Sequence, residues 1–284
     1  MFGTLHFNDD DDPKFVPQVK HLEAQNYLHN TLLYYPVQDT AIQHHLQQNH
    51  PILQVKSAVF WHKVEEDFKA GKVVVVDDLL SKWVLDLVYR FCLEATIYWE
   101  MKGGYLGSYS NFGLYTTVFQ LITQAFRSVM PSVVGSNVLR NFWSYKYNND
   151  MDQKGIPPHA DLAKVNLNVW ITPDDANLDP LTGGMIVYTK QVADTREKFL
   201  TSQRTYEDGR SDSSSDACSS GGGGRTCTDR SGTKVPYKRN RMVIFDSSIV
   251  HQTSPIQFKK GYKNKRINLT WLFGHPVWWK KTAA

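Results

Sequence analysis

Residues 157–171, PPHADLAKVNLNVWI, place a histidine and an aspartate at the head of an alternating apolar segment. Residues two apart on an extended strand point to the same face, about 6.5–7 Å apart along the backbone, so His159 and Asp161 share a face. The two prolines before them restrict how the chain enters the strand. The segment therefore predicts either half of a metal site or a polar turn that happens to contain this pair.

Alternating apolar and polar residues continue through 165–172, which predicts a strand with Asn166, Asn168 and Trp170 on the face of the metal pair. Residues 139–147, LRNFWSYKY, alternate in the same way. The segments GGMIVYT, RMVIFDSSIV and RINLTWLFG are three further strand candidates. Several short strands separated by turn signals favour a β-sandwich or barrel.

The chain ahead of these strands has helical periodicity. A β-branched run at 73–76 predicts a buried strand, and Ser81 is placed to cap the helix that follows it. A second helix is predicted over 114–130. We therefore expect a helical or irregular extension over residues 1–71 and a domain over residues 72–284.

Residues 190–241 interrupt the strand pattern with the Ser- and Gly-rich run SDSSSDACSSGGGGRTCTDRSG. Strand patterns resume directly after this run, so we expect an insertion without regular structure rather than a linker between domains. Long loops of this kind are either lids over a site or tolerated surface insertions. Cys218 and Cys227 flank the glycines and could pair across them, whereas Cys92 lies in an apolar helical pattern typical of a buried thiol.

The composition of the 284-residue chain excludes several classes of protein. An apolar fraction of 41% supports a packed core, and a net charge of +4 is too small and too scattered to argue for a nucleic-acid partner. The acidic run at 9–12 is typical of a solvated arm. The chain begins without a signal-peptide pattern and contains no apolar stretch of about 20 residues, so we expect a soluble cytoplasmic protein without a membrane partner.

Two residues near the end of the chain complete a set with His159 and Asp161. His251 follows the apolar segment RMVIFDSSIV, where we expect the strand to meet a turn at the mouth of a barrel. Arg266 comes fifteen residues later, on the face of Asn268 and Thr270. A buried arginine needs an anionic partner, and its planar fork suits a carboxylate. Two histidines and one carboxylate are a ligand set for Fe(II).

The ordered set H-x-D, distal H and R resembles the Fe(II)/2-oxoglutarate-dependent dioxygenase superfamily, in particular its prolyl-4-hydroxylase-like and phytanoyl-CoA-hydroxylase-like members. The segments GIPPHADLAKVNLNVWITPDD, TGGMIVY and NRMVIFDSSIVHQTSPI resemble three successive strands of that family. The resemblance covers about residues 72–275. It implies a mainly β fold: a double-stranded β-helix, also called a jelly roll and cupin-like, with flanking N-terminal helices.

The resemblance also implies a function and roles for residues. His159, Asp161 and His251 would bind Fe(II), and Arg266 would pair with the distal carboxylate of the cosubstrate 2-oxoglutarate. The enzyme would use O2 to hydroxylate a protein side chain, such as a prolyl residue, or a small molecule, releasing succinate and CO2, with ascorbate as a supporting reductant. No catalytic residue beyond the metal ligands is predicted.

The remaining cosubstrate contacts are predicted from the resemblance together with the faces of the strands. Tyr147 fits the position of a tyrosine that contacts the cosubstrate in related enzymes, with Tyr145 as the alternative. Asn168 and Trp170 are predicted to face the same cavity. The insertion at 190–241 is longer than the family pattern leads us to expect.

Two other classes of protein fit the same residues. One is a jelly-roll binding module that has lost turnover, and the other is a cupin-like metal protein with unrelated chemistry, which would not need Arg266. The sequence predicts neither the substrate nor the oligomeric state.

Overall fold

The structure is a computed structural model that describes residues 36–150, 155–207, 232–276 and 278–279. The acidic run at 9–12 and the two cysteines Cys218 and Cys227 lie outside the described residues.

Five helices occur in the described part of the chain. They are α1 (Pro36–Gln47), α2 (Ala58–Lys69), α3 (Lys82–Glu94), α4 (Thr117–Val129) and α5 (Arg196–Glu207). Short 3-10 turns lie at Ser110–Phe112, Asp174–Ala176 and Tyr262–Asn264, and a π-helical turn at Pro131–Gly135.

Ten strands occur in the same part of the chain. They are β1 (Val74–Val76), β2 (Glu100–Lys102), β3 (Tyr105–Tyr109), β4 (Leu139–Tyr147), β5 (Val165–Trp170), β6 (Met185–Val192), β7 (Thr233–Val235), β8 (Arg241–Asp246), β9 (Ile249–Thr253) and β10 (Ile267–Phe273).

The strands form two antiparallel sheets. The major sheet has the order β1-β8-β5-β10-β4-β3-β2, and the minor sheet has the order β7-β6-β9. A bridge between His159 and His251 adds the chain around His159 to the minor sheet, beside β9. Every strand pair in both sheets is antiparallel.

The path of the chain between the sheets defines the fold. From β4 the chain crosses to the His159 bridge in the minor sheet, returns to β5, crosses to β6 and β7, returns to β8, crosses to β9 and ends in β10 of the major sheet. This alternation is the topology of a double-stranded β-helix, so the predicted mainly β jelly roll with N-terminal flanking helices is confirmed. Strands β1, β2 and β3 extend the major sheet beyond this core.

Two apolar clusters lie on the two faces of the major sheet. The larger one joins the outer face to the helices and includes Phe119, Phe142 and Trp271. The smaller one lies between the sheets and includes Trp170 and Phe245. Because both faces of the major sheet are covered, every residue of β5 is buried, although its sequence alternates between apolar and polar.

The helix that follows β1 agrees with the prediction except at its cap. Val84, Leu85, Val88, Phe91 and Cys92 form the buried side of α3, and Cys92 is fully buried, as expected of an unreactive thiol. The predicted N-cap position of Ser81 is confirmed, but its side chain makes no cap hydrogen bond.

The expectation of an insertion without regular structure is also wrong in part. Residues 190–241 contain the end of β6, all of α5 and all of β7, while residues 208–231 lie outside the described part. The helical segment Arg196–Glu207 has a weak amphipathic pattern, which is why its sequence does not stand out beside the Ser- and Gly-rich run.

The predicted boundary at residue 71 stays a prediction. The buried Glu65 of α2 accepts hydrogen bonds from the backbone N–H groups of Ser132 and Val133, both at 2.8 Å. Trp61, Val64 and Phe68 of the same helix belong to the larger apolar cluster. Residues on both sides of the boundary therefore share one core. Among the described helices, none is both long and apolar enough to span a bilayer.

We expect Trp271→Ala to lower the free energy of unfolding by about 3–5 kcal/mol. Trp271 is fully buried, lies 4.4 Å from Phe142 between ring centroids, and donates from Nε1 to the Thr123 hydroxyl at 3.0 Å. Urea unfolding followed by circular dichroism measures the change. The control Val138→Ala removes a side chain that is 59% exposed and is expected to change stability by less than about 0.5 kcal/mol. A loss below about 1 kcal/mol for Trp271→Ala would contradict this account of the core.

Candidate functional site

The H-x-D segment and β9 are joined by reciprocal backbone hydrogen bonds. The His159 N–H donates to the His251 carbonyl at 2.9 Å, and the His251 N–H donates to the His159 carbonyl at 2.8 Å. His251 therefore lies within β9 of the minor sheet, separated from β8 by a turn at 247–248, and the expectation that it ends the strand RMVIFDSSIV is wrong. The pairing sets the two imidazoles side by side, with ring centroids 4.5 Å apart.

Three side chains converge at this pairing. Asp161 Oδ1 lies 3.8 Å from His159 Nε2, and Asp161 Oδ2 lies 3.3 Å from His251 Nε2. One ligand atom from each residue falls within 4.8 Å of the others, and among the described residues this is the group of three with metal-binding geometry. The three predicted ligands are thus brought together, while their binding of a metal stays a prediction.

The backbone fixes which nitrogen of each histidine faces the centre. His159 Nδ1 lies 2.8 Å from the Pro157 carbonyl, and His251 Nδ1 lies 2.9 Å from the Ile249 carbonyl. A carbonyl only accepts, so each Nδ1 carries a hydrogen and the Nε2 atom of each ring faces the Asp161 carboxylate. Hydrogen bonding of the distal ring nitrogen in this way orients histidine ligands in metal sites.

The protonation states suit a metal. Burial, together with the neighbouring His251, lowers the pKa of His159 to about 4, although Asp161 opposes this, so the ring is neutral at pH 7. Burial alone would raise the pKa of Asp161. The neighbouring His251 and His159 side chains and the Asn166 amide outweigh burial and lower that pKa. A buried ionised carboxylate between two imidazole nitrogens is stabilised by a cation, either a proton or a metal ion.

This donor set fits the group that the resemblance implies. Two neutral imidazoles and one carboxylate on one side of an ion suit Fe(II) and leave positions for other ligands. His159, Asp161 and His251 are the residues that would hold the ion.

Arg266 is the second charged feature of the same pocket. It directly precedes β10 and is 2% exposed. Its Nε donates to the Gly183 carbonyl at 2.5 Å and its Nη2 to the Gly184 carbonyl at 3.4 Å, while Nη1 has no hydrogen-bond partner in the described part of the chain. A buried guanidinium without an anion is costly, and its planar fork suits a carboxylate, so anion binding by Arg266 stays a prediction.

Three aromatic rings surround this guanidinium. Its central carbon lies 4.8 Å from the ring centroid of Tyr147, 5.5 Å from that of Trp170 and 5.9 Å from that of Tyr237. The Tyr147 hydroxyl is 3.4 Å from the Thr253 hydroxyl. These rings pack around the guanidinium, which is 2% exposed and lines the same cavity as the three predicted metal ligands.

The predicted cosubstrate residues all line one cavity. Tyr147, Asn168, Trp170 and Arg266 share it with the metal triad, and its volume is about 40 Å³. Tyr145, the alternative to Tyr147, also lines the cavity, but its hydroxyl pairs with that of Tyr109 at 3.1 Å, whereas Tyr147 lies against Arg266. The position favours Tyr147, and the contacts of all four residues with a cosubstrate stay predictions.

A chain of side-chain amides runs from the carboxylate across the floor of the pocket. Asn166 Nδ2 donates to Asp161 Oδ2 at 2.7 Å, Asn168 Nδ2 donates to Asn166 Oδ1 at 2.6 Å, and Asn268 Nδ2 donates to Asn168 Oδ1 at 3.1 Å. The carboxylate only accepts, so it sets the direction of every amide in the chain. Asn268 Oδ1 at the far end is left without a partner among the described residues.

Sequence reasoning missed several residues of the site. Gly183 and Gly184 hold Arg266 through their carbonyls, and a Cβ on Gly184 would lie 1.9 Å from the Val235 carbonyl oxygen, so this strand can approach only with glycine there. The paired glycines in TGGMIVY were the available signal. Tyr237 and Thr253 carried no signal in the sequence.

The comparisons with known proteins found no matching family model and no matching curated protein. Among solved structures, the chain is similar to a prolyl hydroxylase in complex with a hypoxia inducible factor peptide fragment from Trichoplax adhaerens. The identity is 9%, the match covers 77% of this chain and 90% of the other, and the TM-score is 0.47.

Two other similar structures contain bound metal and cosubstrate. One is the epimerase SnoN from nogalamycin biosynthesis with Fe3+ and alpha ketoglutarate, at 11% identity, 77% and 85% coverage and a TM-score of 0.49. The other is HygX from Streptomyces hygroscopicus with nickel and 2-oxoglutarate, at 10% identity, 74% and 85% coverage and a TM-score of 0.48. Identities this low assign no substrate and no residue role to this chain.

We expect Asn166→Ala to weaken divalent metal binding about tenfold, because it removes the amide that orients the Asp161 carboxylate. Titration of the metal-free protein with Co(II) against a chromophoric chelator measures the affinity. The control Asn141→Ala changes an exposed asparagine of β4 and is expected to leave the affinity unchanged. Wild-type affinity in Asn166→Ala would contradict a role for the amide chain.

Proposed function

We propose that this protein is an Fe(II)- and 2-oxoglutarate-dependent oxygenase that hydroxylates a protein side chain, such as a prolyl residue, or a small molecule. The observation that carries the proposal is one pocket that combines a possible metal site with a buried cation. His159, Asp161 and His251 each place one ligand atom within 4.8 Å of the others, and the buried Arg266 Nη1 has no hydrogen-bond partner among the described residues. A metal chelated by a dicarboxylate would fit both features.

Each charged residue of the pocket has one proposed role. His159, Asp161 and His251 would hold the metal, and Arg266 would hold the distal carboxylate of 2-oxoglutarate, steadied by the Gly183 and Gly184 carbonyls. When bound, the metal and cosubstrate supply oxidative decarboxylation of 2-oxoglutarate by O2, which yields succinate and CO2 and inserts one oxygen atom into a C–H bond of the substrate.

The protein's own contribution is orientation and exclusion of water. The amide chain that ends on Asp161 and the backbone carbonyls behind both histidines keep the ligand atoms aimed at one point. Tyr147 and Trp170 are both about 1% exposed, and their rings pack against Arg266 and would exclude water from it. No acid or base is assigned, because the reaction requires none from the protein.

The observations weigh against a cupin-like metal protein with unrelated chemistry, since such a protein has no use for a buried guanidinium that lacks an anion. They weigh less against a binding module that has lost turnover. An anaerobic metal titration followed by an assay of succinate release with Fe(II), 2-oxoglutarate and ascorbate separates these functions. Succinate release lost in His159→Ala supports the enzyme. Bound metal and 2-oxoglutarate without any succinate would assign the binding module, and failure to bind metal would overturn the proposal.

We expect Arg266→Ala to weaken 2-oxoglutarate binding at least tenfold and to change metal affinity less than twofold. The substitution removes the cation for the distal carboxylate and leaves all three metal ligands in place. Calorimetric titration of the Mn(II)-loaded protein with 2-oxoglutarate, without O2, measures the change. Arg266→Lys keeps the charge without the planar fork and should give an intermediate affinity. Unchanged 2-oxoglutarate affinity in a folded Arg266→Ala protein would exclude Arg266 from the cosubstrate site.

A further inference from the structure

Helix α5, which lies in the segment 190–241, packs against the residue between the two metal-pair ligands. That residue, Ala160, is fully buried. The Ser202 hydroxyl oxygen accepts a hydrogen bond from the Ala160 N–H at 3.3 Å, and Gln203 Nε2 donates to the Ala160 carbonyl at 2.7 Å. Both backbone polar groups of Ala160 are therefore satisfied by side chains of one helix.

The geometry of an edge strand explains why these two groups need partners. Successive residues of a strand direct their backbone groups to opposite edges. His159 pairs with His251 of β9, and the Asp161 N–H donates to the Ser247 carbonyl at 3.1 Å. The backbone groups of Ala160 then point away from β9, to the edge of the minor sheet where no further strand follows in the described part of the chain. Buried without partners, they would destabilise this edge.

Ser202 supplies the acceptor and Gln203 the donor that the backbone groups of Ala160 require. The Ser202 hydroxyl donates its own hydrogen to the Phe199 carbonyl at 2.8 Å, so its oxygen is left to accept from the Ala160 N–H. The Gln203 amide supplies the donor that the Ala160 carbonyl requires. At Ala160, helix α5 thus provides the two backbone hydrogen bonds that a neighbouring strand would otherwise provide.

Further contacts on the same side of the molecule hold this helix in place. The Ala193 N–H, ahead of the helix, donates to the Ser248 carbonyl at 2.7 Å. The Phe199 ring on the helix lies 5.9 Å from the ring of Trp278. Two contacts besides those with Ala160 therefore connect this segment to the rest of the molecule.

We propose that Ser202 and Gln203 are positioning residues of the metal centre, and that α5 sets the distance between His159 and Asp161 by fixing the peptide groups between them. This inference rests on the proposed function, because it assumes that those two residues bind a metal. It makes the helix Arg196–Glu207 a working part of the site rather than part of a surface insertion.

The test compares Gln203→Ala and Ser202→Ala with Thr201→Ala. Thr201 is exposed on the same helix, and its hydroxyl donates to the Glu197 carbonyl within the helix. Co(II) titration of the metal-free proteins, followed by visible absorption, is expected to show at least fivefold weaker binding for Gln203→Ala and Ser202→Ala and an unchanged affinity for Thr201→Ala. The absorption bands of bound Co(II) should also shift in the first two variants only, since the ligand geometry changes.

Hydrogen–deuterium exchange of the metal-free proteins gives a readout that does not depend on the metal. Peptides covering residues 156–165 should exchange faster in Ser202→Ala and Gln203→Ala than in Thr201→Ala. Faster exchange with unchanged Co(II) affinity would overturn the positioning role, and unchanged exchange in both variants would overturn the contact itself. A wild-type protein that binds no Co(II) would instead overturn the proposed function, and the exchange data would still decide whether α5 holds Ala160.

Discussion

The pair of backbone hydrogen bonds between His159 and His251 is the constraint on which the site depends. These residues are far apart in the chain, and the antiparallel bridge places their rings 4.5 Å apart. A shift of one residue in this pairing would turn the His251 side chain to the opposite face of the sheet and remove it from Asp161. The register of two short strand segments in the minor sheet therefore decides whether the three predicted ligand side chains converge.

The major sheet provides the rest of the pocket from its inner face. On β5 and β10, residues two apart share a face, which places Trp170 opposite Asn268 and Asn168 opposite Thr270 in the lining of the cavity. The helices and the apolar cluster on the outer face hold these strands flat against the minor sheet. A rigid floor of this kind suits a site whose ligand atoms must stay aimed at one point while a substrate exchanges above them.

Much of the fold and of the site follows from local patterns in the sequence. Alternation over 139–147 and 165–172 gave the correct inner and outer faces, because the period of a strand is independent of its partners. The spacing of His159 and Asp161 placed both on one face for the same reason. The predictions that failed concern features that depend on contacts between residues far apart in the chain. The turn that separates β8 from β9 consists of the buried residues Ser247 and Ser248 and lies between two apolar segments, so His251 was expected at the end of a single strand.

The contribution of α5 was equally out of reach of local patterns. Ser202 and Gln203 are ordinary residues of a weakly amphipathic helix, and their role depends on a backbone edge about forty residues earlier. The paired glycines Gly183 and Gly184 are visible in the sequence, but the hydrogen bonds from Arg266 to their carbonyls are not, because every residue carries a backbone carbonyl. The amide chain is an intermediate case, in which Asn166 and Asn168 could be placed on the correct face, whereas the direction of their hydrogen bonds required the position of the carboxylate.

The central claim is that one pocket binds a metal and a dicarboxylate together. An anaerobic titration of the Fe(II)-loaded protein with 2-oxoglutarate, followed by the visible charge-transfer absorption of a 2-oxo acid chelated to Fe(II), tests this claim most directly. We predict an absorption that saturates at one 2-oxoglutarate per chain and is absent in His159→Ala. Protein that holds Fe(II) but shows no such absorption at saturating 2-oxoglutarate would contradict it.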